Sequence, residues 1–568
     1  MQYAYLNNKN LGNCTLKEIK ETLQNIPENF TGVILSRNEL WRKSGVELNE
    51  ALRGLPPYIT YVNLSHNDFW KSRGSALRLT LQGLPLTVTH VCIHYNGLWH
   101  KTGAELKEIL QGLSSKVTSV DLSYNALWRK KGEEFKEALQ GLPYSVTHVN
   151  LKNNEFCSMR TSLLKLALQG LPLNVTHVDL SENELGSKTA AELKEALQGL
   201  HPNVTNINLS TNELGRKTGE ELSEIFQGLS SGVKIINLSN NVLLRINLKW
   251  KEALQKLPSN ITHVDLSGNE LGFNSEPATL KEILQYLPPN VTYVNLSANE
   301  LWRQKGYFLE NALKYLPSKV IRVDLSNNGF LSKGFTVVKA SDLKETLQGL
   351  SPNVKHVELG YNCIGHHSPT ALRAIFNNLP SNIRSINLSG NGLYEAVLVA
   401  ILESLGPEVS TVIADKNGVF SDKSIQETEA SFKRINAAKH PSTTLTLANN
   451  GYSLQSRTLP FFLAGHCGFF RRQKDCSLKN VPQELIEKIY SFLHGEMNHL
   501  KKLRDYRVKY LGITIFKTTL ITLDLLLLLK SAQPLDKLKR LLQFAQESKN
   551  DGAVNIINDA IVNTRLYS

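Results

Sequence analysis

Cysteine is scarce in this chain: six among 568 residues, at Cys14, Cys92, Cys157, Cys363, Cys467 and Cys476, with no paired spacing. That excludes the disulfide framework of a small secreted domain and favours a reducing compartment. Met1 to Lys9 lacks a basic stretch followed by an apolar core, so no cleaved leader is expected. The Asn-x-Thr sequons at Asn174, Asn203, Asn260 and Asn290 therefore say nothing of glycosylation. Long apolar runs are missing too. Leu520 to Leu529 is interrupted by Asp524 and bracketed by Lys517 and Lys530, and it falls short of the ~20 residues a bilayer needs; a buried helix is expected, with no transmembrane segment. Charge is moderate at +13. Residues 468–568 carry seventeen Lys and Arg against ten Asp and Glu, so +7 of the excess sits there; it describes a solvated basic face, the alternative being a weak attraction to acidic partners, nucleic acid or anionic membrane.

Signatures of chemistry are equally thin. His466, Cys467, Cys476 and His494 do not have zinc-finger spacing. Gly215-Arg216-Lys217-Thr218 is a fragment of a phosphate loop that is never completed. No catalytic residue, cofactor site or metal site is expected.

What the chain has in abundance is repetition. Asn38, Asn67, Asn96, Asn125, Asn154, Asn183, Asn212 and Asn241 recur at an unbroken spacing of 29, which then drifts through Asn269, Asn299, Asn328, Asn362 and Asn391. Within one unit Val178 and Leu180 alternate as in a strand, whereas Leu193, Ala196, Leu197 and Leu200 follow helical steps. Ser44-Gly45-Val46-Glu47, Thr102 to Glu105, Thr189 to Glu192 and Thr218 to Glu221 read as capping boxes. In Gln140-Gly141-Leu142-Pro143 the glycine is expected just past the last helical turn as a C-cap, with Pro beyond it. The flanked Asn is expected to bond backbone at the turn rather than take part in chemistry.

Val175, Val178, Leu180, Asn183 and Leu185 fill the pattern L-x-x-L-x-L-x-x-N-x-L, and on it the chain resembles the helix-containing leucine-rich repeats typified by ribonuclease inhibitor. The resemblance implies an α/β right-handed solenoid, a horseshoe with parallel strands on its concave face and helices on its convex face. A small all-α domain would follow. Residues 1–28 form the expected N-terminal cap, 29–455 the solenoid with degenerate coils at Val412–Asn417 and Thr446–Asn450, and 470–568 the helical domain. Segment Phe330–Ala340 lengthens one turn and Phe273–Pro277 alters another, and such inserts map to loops on one rim, often a contact site. A non-enzymatic monomer that binds protein follows from this architecture.

Two surfaces stand out for a partner. The strand positions beside the buried row carry Tyr61, His90, His148, His177, His263 and Tyr293, with Asp121, Asp179 and Asp265 in the next row. Stacked His and Asp have metal or acid–base donors, but adjacent rungs repeat a residue through duplication, so ligation is not expected. Past the strands Trp41, Trp70, Trp99 and Trp128 share one position in four successive repeats, each trailed by basic residues, and Trp302 returns to it later. Gly186, Gly215 and Gly272 in the same position suggest that the fold does not demand Trp there. The indoles would either pack on one another along the rim or contact a protein; stacking on nucleic acid is the weaker expectation.

Near the C-terminus Pro482, Leu485, Ile486, Ile489, Phe492 and Leu493 resemble the first helix of an F-box. That resemblance implies docking to the Skp adaptor of a cullin ubiquitin ligase, with the repeats choosing a substrate. No remainder of the module follows Leu493. Bacterial leucine-rich-repeat ubiquitin ligases carry a catalytic Cys in a large C-terminal domain, for which about a hundred residues are too few. Near-identical repeats ending in Gln-Gly-Leu-Pro also resemble the effectors that intracellular bacterial pathogens inject into host cells. This implies a host protein partner and a route from bacterial cytoplasm to host cytosol through a secretion system.

Overall fold

The computed structural model describes residues 2–243, 250–273, 278–329, 339–421, 423, 425–448 and 450. The F-box-like helix, the apolar stretch at 520–529 and the helical domain 470–568 lie outside the described residues, as do 274–277 and 330–338 of the two inserts. The chain divides into two compact units, residues 1–388 with 404–412, and residues 389–403 with 413 onward.

In the first unit each repeat supplies a three-residue strand, and fourteen of them, from Tyr3–Tyr5 to Ser385–Asn387, pair in parallel in chain order. The middle residue of each strand faces the core: Val62, Val91, Val120, Val149 and Val178 are buried, while the residues on either side project to the other face. Each full burial of a Val or Leu contributes about 1.5–3 kcal/mol, and one such row per rung makes a core that grows by stacking. No helix among the described residues is long and apolar enough to cross a membrane.

The turn after each strand depends on the repeated Asn. Asn183 is fully buried. Its Nδ2 donates to the carbonyls of Leu180 at 3.0 Å, Ser181 at 3.1 Å and Leu151 at 3.1 Å, the last in the preceding repeat. Its Oδ1 accepts from the backbone N–H of Asn154 at 2.8 Å and Phe156 at 3.4 Å, and its own N–H donates to Asn212 Oδ1 at 2.9 Å. The residues on both sides, Glu182 and Glu184, have φ of 54° and 52°. A left-handed conformation costs a non-glycine residue roughly 1–2 kcal/mol, so the amide bonds hold a turn that the flanking residues would not adopt alone. Lys9, which stands where the first Asn would be, still donates its N–H to Asn38 Oδ1 at 2.8 Å.

A short 3-10 turn and a helix of eight or nine residues complete most repeats. The capping boxes form as the sequence implies: Glu192 N–H donates to Thr189 Oγ1 at 3.3 Å and Thr189 N–H to Glu192 Oε2 at 2.8 Å. Thr15 and Glu18 build another in the first repeat. The helix ends differ from expectation. Gly83 ends its helix at φ −77°, within the right-handed region, and Gly141 is not among the left-handed residues. Gly141 is there because the previous repeat's helix comes so close that a Cβ would sit 2.4 Å from the carbonyl oxygen of Lys107. The glycine permits helix-to-helix approach and is not a left-handed cap.

In the second unit Asn391 donates its N–H to Asn417 Oδ1 at 2.8 Å, and Asn450 Nδ2 donates to the Ala414 carbonyl at 2.8 Å, so the same amide device recurs. Here Glu395 receives Arg434, Lys423 and Ser431, the hydroxyl at 2.6 Å.

Two outcomes follow. Asn183→Ala leaves at least two buried backbone donors without partners, at about 1–3 kcal/mol each, so urea denaturation should show a loss of about 3 kcal/mol or more, and hydrogen exchange should locate the opening at the repeats around residue 183. Glu395 has its pKa lowered to about 2, from an ordinary 4.5, by Arg434 first and by Lys423 and Ser431 after burial is offset. Because the folded-state pKa is the lower one, the stabilisation is fully present above pH 4.5 and is lost as pH falls toward 2. Thermal melts between those limits should show a steeper acid loss for the native chain than for Glu395→Gln.

Candidate functional site on the open strand face and its edge

The strand side chains that turn away from the core form two registered rows. In the first, the imidazoles are fixed by the preceding threonines: Thr147 Oγ1 lies 2.8 Å from His148 Nδ1, Thr176 Oγ1 2.8 Å from His177 Nδ1, and Thr89 and Thr262 hold His90 and His263 in the same way. His148 and His177 stack at 3.8 Å, and His263 meets Tyr293 edge-on at 5.7 Å. Burial keeps the pKa of His148, His177 and His263 below the usual value, so these rings are neutral around pH 7. Burial also raises the Tyr61 phenol and pushes that of Tyr293 up to about 12. Tyr61 lies against Tyr3 at 5.1 Å, across Gly32, where a Cβ would come within 2.6 Å of the Tyr3 ring.

The second row carries the acidic groups, and each spends Oδ1 on the fold; Asp179 also accepts from Asn208 Nδ2 at 2.9 Å through Oδ2. Asp121 Oδ1 accepts from Ser123 N–H at 2.9 Å, Asp179 Oδ1 from Ser181 N–H at 2.8 Å and Asp265 Oδ1 from Ser267 N–H at 2.9 Å. Asn63, Asn150 and Asn208 make the same bond, which explains why Asp and Asn interchange along the row.

Along the edge formed by the 3-10 turns, the tryptophans do not pack on each other. Among the described residues no two indoles are in ring contact; a cation or imidazole from the following repeat is inserted between each pair. Lys71 Nζ lies 4.4 Å from the Trp41 ring and 5.2 Å from Trp70. His100 stacks on Trp70 at 4.7 Å and Trp99 at 3.5 Å. Arg129 lies 4.2 Å from Trp99 and 5.3 Å from Trp128. The result is an alternating series: Trp41, Lys71, Trp70, His100, Trp99, Arg129, Trp128. Further along, Arg303 sits 4.6 Å from Trp302 and 3.7 Å from Phe273. Such contacts contribute about 0.5–1 kcal/mol at exposed sites. The indole N–H groups of Trp41 and Trp128 are shielded and have no acceptor, a cost that ring packing must offset.

The glycines at this position are not neutral substitutes for Trp. A Cβ on Gly186, Gly215 or Gly272 would lie 2.3, 2.0 and 2.0 Å from a carbonyl oxygen of the next repeat. In those repeats the backbone has closed up, and replacing Gly requires it to reopen.

Not all of the basic residues that trail the tryptophans face solvent. Lys101 and Lys130 are buried, as are Lys188 and Lys217 at the same place in later repeats. Lys188 Nζ donates to the carbonyls of Cys157 at 3.2 Å and Met159 at 2.5 Å; Lys101 donates to Trp70 at 3.0 Å and to Ser72. These ammonium groups close the carbonyl end of the preceding repeat's turn. Burial lowers the pKa of Lys101, Lys130 and Lys188.

Two groupings have no counterpart in the sequence expectations. His66, Tyr95 and Tyr124, all left-handed and one residue before the ladder Asn, stack at 4.3 and 4.5 Å. Tyr124 Oη donates to Glu182 Oε2 at 2.6 Å across two repeats, and Lys152 pairs with Glu182 at 2.6 Å. The second grouping is Cys92, His94 and Asp121, whose side-chain donor atoms lie within 4.8 Å of one another. The signal for both was available by writing the repeats one below another and including the residues after the strand.

Lys188→Met keeps the stem and removes the donors, leaving two carbonyls short of a partner, so a loss of about 1–3 kcal/mol in urea denaturation is expected. Lys71→Met, at the exposed edge, removes two such cation–aromatic contacts and should cost about 1–2 kcal/mol in the same measurement.

No protein-family model matches the chain, and no curated protein matches it. Among solved structures it is similar to the leucine-rich repeat-containing protein LegL7 from Legionella pneumophila, at 25% identity over 67% of this chain and 98% of that one, with a TM-score of 0.44. It is also similar to the Rad7 and Elc1 complex of yeast, at 11% identity over 68% of this chain and 86% of that one, with a TM-score of 0.37. At these scores neither likeness bears on fold or function, and the fold rests on the strand register and the amide ladder. On that ground, with one short strand and one buried Asn recurring per repeat and helices in most repeats, the described residues have the fold of a leucine-rich-repeat solenoid.

Proposed function

We propose that this chain is a non-enzymatic scaffold that binds a folded protein through its open strand face and its cation-aromatic edge. The observation that carries the reading is the alternating series from Trp41 to Trp128. It presents large flat rings and positive charge from a preorganised surface, the residue types that dominate interface energetics, at little cost in side-chain entropy. The neutral imidazoles and the carboxylates of the face supply directional polar contacts beside it. A partner surface bearing carboxylates and exposed aromatic or apolar groups suits this combination.

In the same reading the partner is a host protein and the chain an effector delivered by a bacterial secretion system into the host cytosol. What supports this is the resemblance of the near-identical repeats to such effectors. Substrate reception for a cullin ubiquitin ligase would rest on residues 481–493 and finds no separate support. Nucleic-acid binding is disfavoured by the burial of Lys101 and Lys130, which removes two of the cations that would meet phosphate.

The test is comparative affinity purification from eukaryotic lysate with the native chain, Trp70→Ala with Trp99→Ala, and Asp179→Lys. A partner retained by the native chain and lost by the edge variant, with a decrease in affinity of about 2 kcal/mol or more for the purified pair, is the expected result. A partner retained equally by every variant rules the reading out. A steep decline in binding with salt, together with capture of RNA or DNA, would transfer the edge to nucleic-acid binding.

A further inference from the structure

The Cys92, His94 and Asp121 grouping lies on the open strand face and includes none of the edge tryptophans. Cys92 ends its strand and His94 follows two residues on, so both project to the same side. Asp121 is the partner of Cys92 on the next rung. Cys92 Sγ lies 2.7 Å from His94 Nδ1 and 3.4 Å from Asp121 Oδ2, and His94 Nδ1 lies 3.3 Å from the same Oδ2. Three donors of different type therefore converge on one point.

A nucleophilic Cys–His–Asp relay does not fit this geometry. A relay needs one imidazole nitrogen on the nucleophile and the other on the carboxylate, but here Nδ1 faces both. A tetrahedral ion needs three donors around one point, and the arrangement present is close to that. With bonds of about 2.3 Å to sulfur and about 2.0–2.2 Å to nitrogen and oxygen, a tetrahedral zinc site has ligand-to-ligand edges of about 3.3–3.6 Å. Two of the three edges already have that length, and the shorter S–N edge opens when an ion takes the place of the thiol proton, which passes to solvent.

We propose that Cys92, His94 and Asp121 form a binding site for a zinc-type divalent metal ion, with water in the fourth position. The carboxylate is oriented for it: Ser123 N–H at 2.9 Å and Ser123 Oγ at 2.6 Å both hold Oδ1, which turns Oδ2 toward the other donors. Access is from solvent, since the His94 and Asp121 side chains keep 24% and 28% of their exposure while Cys92 is buried beneath them. A thiolate, an imidazole and a single carboxylate select zinc or cobalt over calcium and magnesium, which take oxygen ligands. Because the ligands come from two adjacent rungs, occupancy ties those repeats together on the face where a partner would rest. The site does not depend on the protein-binding reading, and either can fail alone.

Cobalt(II) titration of the full chain, stripped with a chelator, tests it. The expected result is one cobalt per chain with a thiolate-to-metal charge-transfer band, displaced by zinc. Cys92→Ser should abolish the band. His94→Gln and Asp121→Asn should each weaken cobalt binding by about 100-fold or more, beyond the 10- to 100-fold typical of supporting-shell changes. Cys363→Ser, at a half-buried thiol outside the grouping, should leave it unchanged. No cobalt binding by the native chain, binding without the band, or a band that survives Cys92→Ser overturns the site. Should Cys92→Ser misfold, unchanged cobalt affinity in His94→Gln, on the solvent side, overturns it equally.

Discussion

Every repeat depends on one buried amide placed where the chain turns from strand to helix. That turn has backbone donors and acceptors in a dry interior, and left unpaired each would cost about as much as the repeat gains from burying a leucine. The Asn carboxamide is short and carries both a donor pair and an acceptor. Asn183 consequently bonds its own turn and the preceding repeat, and its backbone N–H reaches the amide of the next. Stability is thus shared between neighbours. No single repeat has a complete set of partners, which is the physical content of nearest-neighbour cooperativity in a solenoid.

The sequence spacing made the periodic part of this legible. Strand rows, capping boxes and the ladder Asn appear in the structure where the spacing put them because each depends on residues that are close in sequence or displaced by one whole repeat. What was not legible depends on distances between backbones. Gly141 looks like a helix C-cap in one dimension, but its helix end stays right-handed and the missing Cβ serves the neighbouring helix at Lys107. Lys101 and Lys188 look like solvated charges, yet the carbonyls they close belong to the previous repeat. The Trp series needed an offset as well as a period, because the cation between two indoles follows the second Trp in sequence and reaches back to the first.

The edge shows why Gly and Trp occupy one position without being equivalent. Where Gly stands, the N–H to the next repeat's Asn carbonyl is 2.7 Å from Gly186, 2.9 Å from Gly215 and 2.8 Å from Gly272; from Trp41, Trp70, Trp128 and Trp302 it is 3.3, 3.0, 3.2 and 3.2 Å. The larger residue goes with a slightly longer contact and a side chain that projects outward, while the smaller one closes the gap. Repeats with Trp therefore present a large exposed ring series, and repeats with Gly hold the backbone more tightly.

On the open face the same side chains serve the fold and face outward. Each Asp or Asn of the second row spends one oxygen on a backbone N–H two residues on, and each anchored His of the first row spends Nδ1 on a threonine. The second oxygen is also engaged at Asp179, where it accepts from Asn208 Nδ2 at 2.9 Å, and at Asp121, where Cys92 and His94 meet it. A change from Asp to Asn keeps the inner bond and removes the charge, whereas a change to Ala removes both and disturbs the turn. Loss of binding in an Ala variant of Asp121, Asp179 or Asp265 would therefore confound the two effects, and the amide replacement separates them. The same logic bears on Asp121 in particular. Burial works against its carboxylate, but contacts with His94 and Ser123 outweigh that and keep its pKa below the ordinary value, so at neutral pH it stays charged at the point where two further donors already converge.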